Sequence, residues 1–172
     1  NDLGNILYDL NTDIFHINDV QPVLEDGPYW KKGDVFLSLR NLSMIILYRP
    51  LTGEIIHKIT GPLAYQHDVD IISDHEISIF NNKTIFMNFL GYINEFCPTA
   101  SEVTIYNFET HQFSSYLNDS MIKYDVRTNI KGSHQIDSKG GLLVNERMSR
   151  RVLYFNKDGT LGWTFIHRDE RQ

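Results

Sequence analysis

The sequence predicts an all-β chain: β-propeller blades of four antiparallel strands, about three of them within its 172 residues. Three observations carry this. Three histidine-headed segments recur, HINDVQPV at His16, HDVDIIS at His67 and HQIDSKG at His134. Each runs through a turn into an apolar strand: DVFLSLRN, EISIFNN or GLLVNER. Each then reaches a strand holding a tyrosine (Tyr48, Tyr106, Tyr154) and closes with a turn and one more strand. A repeat of roughly 40–50 residues with four short strands is the pattern of a propeller blade. The first strand of each blade lines the central channel, so histidines equivalent by repeat are expected to converge there.

The elements follow in order. Residues 1–13 read as the last strand of a preceding blade. Blade one spans about residues 16–60, with EDGPYWKKG and RPLTG as turns punctuated by Pro and Gly. Its strands alternate with period two, Ile45 and Leu47 against Ile46 and Tyr48. Blade two spans about 67–117. It is interrupted over residues 83–101 by KTIFMNFLGYINEFCPTAS, apolar at its centre, which reads as a short helix or a flap. Residues 118–133 link to blade three, with a strand expected near Met121–Asp125. Blade three spans about 134–166. A propeller closes with about 4–8 blades. Three blades therefore leave three readings: part of a longer protein, closure by a homo-oligomer, or an open stack of curved sheets with exposed edges.

Composition narrows the function classes. Hydrophobic residues make up 41% and charged residues 22%, an ordinary globular balance. No apolar run approaches the roughly 18 residues of a membrane helix, so no membrane span is expected. A net charge of -6 with no Lys/Arg block argues against nucleic acid. Cys97 is the single cysteine, which excludes an intrachain disulfide and a cysteine metal cluster. No metal-type His/Cys spacing and no Gly-rich phosphate loop appears, and neither a metal nor a cofactor is expected.

The chemistry-bearing residues are His16, Asn18, Arg40 and His67. His16 and Asn18 are two apart, so on a strand they share a face. Arg40 ends the run FLSLR, and His67 opens the next blade after GPLAYQ. Imidazoles, an amide and a guanidinium without a carboxylate pair suit an anionic tetrahedral group such as sulfate or phosphate. The bland alternatives are a turn cap for His16 and Asn18, a surface pair with Asp34 or Glu25 for Arg40, and a hydrogen-bonded strand-start residue for His67.

The succession FHIND, GDVFLSLRNLSMIILY, GEIIHKITGP, QHDVD and ISIFNN resembles the bacterial arylsulfotransferase (aryl sulfate sulfotransferase) family. The resemblance implies a six-bladed propeller that moves a sulfuryl group from a phenolic sulfate ester to a phenolic acceptor through a sulfo-histidine. It implies that His67 is the catalytic nucleophile and that Arg40 stabilises the transferring charge. His16 and Asn18 would hold sulfuryl oxygens or the phenolic oxygen. It also implies a periplasmic or secreted location. The competing readings are a non-catalytic propeller that binds a protein or small anionic ligand, and a hydrolase or lyase using the same histidines.

Overall fold

The computed structural model describes residues 13–89 and 92–167. The expected strand of a preceding blade, residues 1–13, lies almost wholly outside them. Three four-stranded antiparallel sheets follow one another along the chain. The first holds β1 (Ile17–Pro22), β2 (Val35–Leu39), β3 (Met44–Arg49) and β4 (Glu54–Thr60) in sequence order. The second is built from β5 (His67–Ile71), β6 (Glu76–Asn81), β9 (Glu102–Asn107) and β10 (Gln112–Tyr116). Between β6 and β9 a separate hairpin is inserted, β7 (Ile85–Phe89) with β8 (Tyr92–Phe96). The third sheet is β11 (Gly132–Ile136), β12 (Leu142–Glu146), β13 (Arg151–Phe155) and β14 (Leu161–Ile166). These are meanders of propeller-blade type.

Period-two alternation decides what each sheet buries. In the first sheet Phe36, Ile45, Leu47 and Ile59 turn toward the second sheet and meet Val69, Ile77, Ile79 and Tyr106. Trp30 and Phe108 join this layer edge to face, with ring centroids 5.4 Å apart. The second sheet uses its other side for the next layer. Phe80 and Val103 meet Leu142, Val144, Leu153 and Phe155 of the third. Because both faces of the middle sheet are covered, five consecutive residues of β6, Ile77 to Asn81, are buried. The opposite face of the first sheet has no such cover among the described residues. Ile17, Val20 and Ile55 are exposed there.

Two expectations change. The segment near Met121–Asp125 is a helix, α1 (Asn118–Lys123), not a strand. Met121 and Tyr124, three apart, both face the second apolar layer, while Ile122 is exposed. That is helical spacing, not the period two of a strand. Of the two readings of the insertion at 83–101, a short helix or a flap, the helix gives way to a two-stranded ribbon. Its base is fixed where the Thr84 hydroxyl donates to the Asn129 carbonyl at 2.7 Å. The Cys97 thiol meets the Asn82 carbonyl at 2.7 Å.

Candidate active site

The three histidines do not occupy equivalent positions. His67 is the first paired residue of β5, opposite Phe80. The corresponding first residues of β1 and β11 are Ile17, opposite Leu39, and Gly132, opposite Glu146. His16 lies one residue before its strand, and His134 lies two residues inside its own. A bulge follows both Ile17 and His67, at Asn18 and Asp68, but β11 has none. Equal sequence order therefore hides unequal register, and the expected convergence of three matched histidines does not hold. Gly132 shows what the third blade does instead. A Cβ there would stand 2.0 Å from the Phe80 ring, so the phenyl group fills the space a side chain would take.

His134 is a link between blades. Its backbone N–H and its Nδ1 both meet the Asp68 Oδ2, at 2.6 and 2.9 Å. Its Nε2 lies 2.8 Å from the Ser78 hydroxyl. One donor atom each from Asp68, Asp70 and His134 falls within 4.8 Å of the others. The sequence reading did not single out this group, whose parts come from two strands with no spacing motif. The same device recurs one blade earlier, where Asp19 Oδ2 accepts the Val69 N–H at 2.8 Å. Burial raises the Asp19 carboxyl above its ordinary value, against the Val69 hydrogen bond that lowers it.

His67 is almost fully buried, 8% exposed, and is gripped from three segments. Nδ1 lies 2.8 Å from Asn82 Oδ1 and 3.3 Å from the Tyr65 carbonyl. The Lys131 backbone N–H donates to Nε2 at 3.2 Å. A backbone N–H has only a proton to offer, so Nε2 must carry a lone pair. Asn82 agrees independently. Its Nδ2 donates to the Thr128 carbonyl at 2.6 Å, which leaves Oδ1 as the acceptor of a proton on Nδ1. The ring is thus the neutral Nδ1–H tautomer. Burial holds its pKa below the ordinary 6.5; Asn82 works against this, and the nearby Arg40 charge adds to it.

Arg40 opens the turn after β2. It is buried, lies over the Tyr65 ring at 5.1 Å, and donates to Asn41 Oδ1. The expected alternative pairing with Asp34 does not occur. Asp34 takes both Arg49 Nε and Nη2, at 2.7 and 2.8 Å. His16 receives the Arg40 N–H on its carbonyl at 3.1 Å, so the two are neighbours. The His16 Nδ1 lies 2.5 Å from Asp13 Oδ2, and this contact is the main reason the Asp13 carboxyl is lowered. Asn18, in the bulge, donates Nδ2 to the Gln66 carbonyl at 2.8 Å. Its buried Oδ1 accepts no hydrogen bond among the described residues, and neither does Oε1 of Gln66.

Gln66 is a positioning residue that the sequence named only as a neighbour of His67. It is fully buried. Its Nε2 reaches Ser38 Oγ and the Leu39 and Met44 carbonyls, at 3.2, 3.3 and 3.1 Å. Asn81 pins the same crossover, accepting the Ala64 N–H at 2.9 Å and donating to the Pro62 carbonyl at 2.8 Å. The run Phe-Asn-Asn was the signal for both asparagines.

The fold and these residues define an all-β protein of propeller-blade type whose polar residues gather at the starts of its first strands. The pattern of the arylsulfotransferase (ASST) family matches residues 6–168, nearly the whole chain. The chain belongs to that family. No curated protein matches it. Among solved structures it is similar to selenomethionine-substituted virginiamycin B lyase from Staphylococcus aureus, at 16% identity and a TM-score of 0.43 over 88% of this chain. The catalytically inactive H270A form of that lyase with quinupristin gives 17%, 0.42 and 88%. Hsv2 from Kluyvelomyces marxianus gives 10%, 0.38 and 91%. The chain spans 60%, 61% and 54% of these three proteins respectively. Among the described residues no helix is long and apolar enough to cross a membrane.

Proposed function

We propose that this chain carries the sulfuryl-transfer site of an aryl sulfate sulfotransferase, with His67 as nucleophile, a phenolic sulfate as donor and a phenol as acceptor. The observation that carries the reading is the tautomer of His67. A buried, neutral imidazole whose Nδ1–H is held and whose Nε2 bears the lone pair is the form that attacks sulfur. The Nε2 pair forms the N–S bond, the S–O bond breaks, and its electrons leave on the donor's phenolate. Arg40 balances charge on the transferring group and the departing oxygen. The Lys131 N–H must yield Nε2 first, a loss of about 1 kcal/mol for one neutral hydrogen bond.

The acceptor half follows from the other two residues. Asn18 has spent its donor on Gln66, and its Oδ1 is an acceptor. It therefore suits a phenolic O–H better than a sulfuryl oxygen. With Nδ1–H committed to Asp13, His16 offers Nε2 to take that proton as the phenol oxygen attacks the sulfo-imidazole. The N–S bond then breaks and its pair returns to His67. By family membership the protein acts outside the cytoplasm, in the periplasm or secreted. Further blades or a second copy would complete the ring; the exposed apolar side of the first sheet supports either.

The test is transfer from 4-nitrophenyl sulfate to phenol, comparing this chain with His67→Ala, with mass analysis of the donor-only mixture. Acceptor-dependent nitrophenolate release, lost in the variant, with 80 Da added on the His67 peptide, is the expected result for SO₃ (mass of about 80 Da). Equal turnover by both proteins would sink the assignment of His67. A second reading, a propeller that binds a small anion without turnover, is favoured by one observation: both ring nitrogens of His67 already have partners. Binding of the aryl sulfate by the folded chain without any release would select it.

A further inference from the structure

Asn82 follows β6 and is a fully buried polar residue. Its hydrogen-bonding atoms serve the ground around His67. Oδ1 accepts the imidazole Nδ1–H, and Nδ2 donates to the Thr128 carbonyl. Its own carbonyl takes the Cys97 thiol and the Ser101 hydroxyl, at 2.7 and 3.3 Å. Thr128 belongs to the same crossover as Lys131, whose N–H covers Nε2. One side chain thus holds one nitrogen of the ring and the strand of chain that lies over the other.

We propose that Asn82 is the positioning residue that fixes His67 in its Nδ1–H tautomer, and that an amide stands there because a carboxylate would make the ring a cation. The catalytic consequence rests on the reading of His67 as nucleophile; the tautomer does not. An aspartate could accept from Nδ1–H equally well. It could not donate to the Thr128 carbonyl, and its charge would favour protonation of Nε2. A protonated Nε2 has no pair with which to attack. An alanine would leave the ring free to exchange its tautomers and leave the Thr128 carbonyl without its donor.

The remaining groups around the ring support this. Arg40, from the turn after β2, adds positive charge that opposes protonation, and His16, ahead of β1, acts in the same sense. The carboxylate adjacent in sequence, Asp68, sits in the left-handed region at φ 52 and is directed to His134. Tyr65 and Lys131 present backbone atoms to the ring. Asn82 is therefore the one side chain that hydrogen-bonds the imidazole among the described residues.

The experiment is long-range ¹H–¹⁵N correlation NMR on the whole chain with ¹⁵N-labelled histidine, over pH 5–9, for the unsubstituted protein, Asn82→Asp and Asn82→Ala. His67→Gln assigns the signals. The unsubstituted protein should show a protonated Nδ1 and a bare Nε2 across neutral pH. Asn82→Asp should raise the titration midpoint of His67 by about one unit or more, the effect of a carboxylate at hydrogen-bond distance. The acid limb of kcat/KM should move with it. Asn82→Ala should give mixed tautomers. An Nε2–H signal in the unsubstituted protein, which needs no variant to fold, would overturn the proposal. So would a midpoint that stays put in a folded Asn82→Asp chain. If tautomer and midpoint behave as expected but no sulfuryl transfer occurs, the positioning role stands and the sulfotransferase reading falls.

Discussion

Asp68 holds His134 by two hydrogen bonds to one carboxylate oxygen, 2.6 Å from the backbone N–H and 2.9 Å from Nδ1. The contact ties the second blade to the third at their inner strands, with the His134 side chain wholly buried. Asp68→Ala should lower stability by about 1–3 kcal/mol, the range for leaving a buried donor unmatched. Asp68→Asn should cost less, since its amide oxygen still accepts and asparagine tolerates the left-handed backbone at φ 52. Urea unfolding of the three proteins ranks them.

Arg40 has a different signature. Arg40→Ala should reduce kcat/KM for aryl sulfate by about 10²–10³, the loss found for one charge-stabilising donor. Arg40→Lys should recover little, because a point charge does not reproduce a planar fork over the Tyr65 ring. Steady-state kinetics on both variants, with unfolding curves as controls, checks this.

Acidity should silence the site. Burial keeps the His67 pKa below 6.5, so the ring is neutral at pH 7 and protonates only at lower pH. The rate should be level near neutrality and fall as pH drops through that lowered value. Stability should fall in the same direction. The unfolded chain takes up the proton near 6.5 while the folded chain resists it. A pH profile of kcat/KM with an acid limb above 6.5 would contradict the buried, neutral ring.

Gly132→Ala should be among the most damaging single-methyl changes in the chain. The added Cβ would sit 2.0 Å from a Phe80 ring that is itself fully buried between two sheets. Overpacking of this kind costs about 1–3 kcal/mol. The companion change Phe80→Leu should recover part of the loss, which thermal melts of single and double variants would reveal.

Cys97 should be silent toward thiol reagents until the chain opens. It is 5% exposed, and burial pushes its thiol up, against the opposing effect of the neighbouring Ser101 and Thr84 hydroxyls. Reaction with a chromogenic disulfide at pH 8 should be slow in the native protein and complete in denaturant.

The sheets were legible because period-two alternation is local. EISIFNN and GLLVNER announce their strands without help from the rest of the chain. The register was not. His16, His67 and His134 look alike in sequence, but bulges at Asn18 and Asp68 and their absence from β11 shift them against one another. At each bulge the extra residue bonds a distant segment, Asn18 the carbonyl of Gln66 and Asp68 the N–H of His134, which no local pattern reveals. Met121 failed for a related reason. Its run is too short to reveal its period, and only the apolar layer between blades two and three decides which residues turn inward. At the site, the residue types of His67 and Arg40 stood out. The service roles of Gln66 and Asn82 depend on backbone atoms 22 to 46 residues away, which no short motif encodes.

The grip on His67 comes from Tyr65 in one crossover, Asn82 after β6 and Lys131 in the next crossover. An imidazole suspended in this way senses the docking of its blades more acutely than the strands themselves do. Small breathing motions that leave every ladder intact would still loosen the ring. Competence for chemistry is then a property of how tightly the blades close, and mild urea should extinguish it well before the β-sheet signal begins to fade.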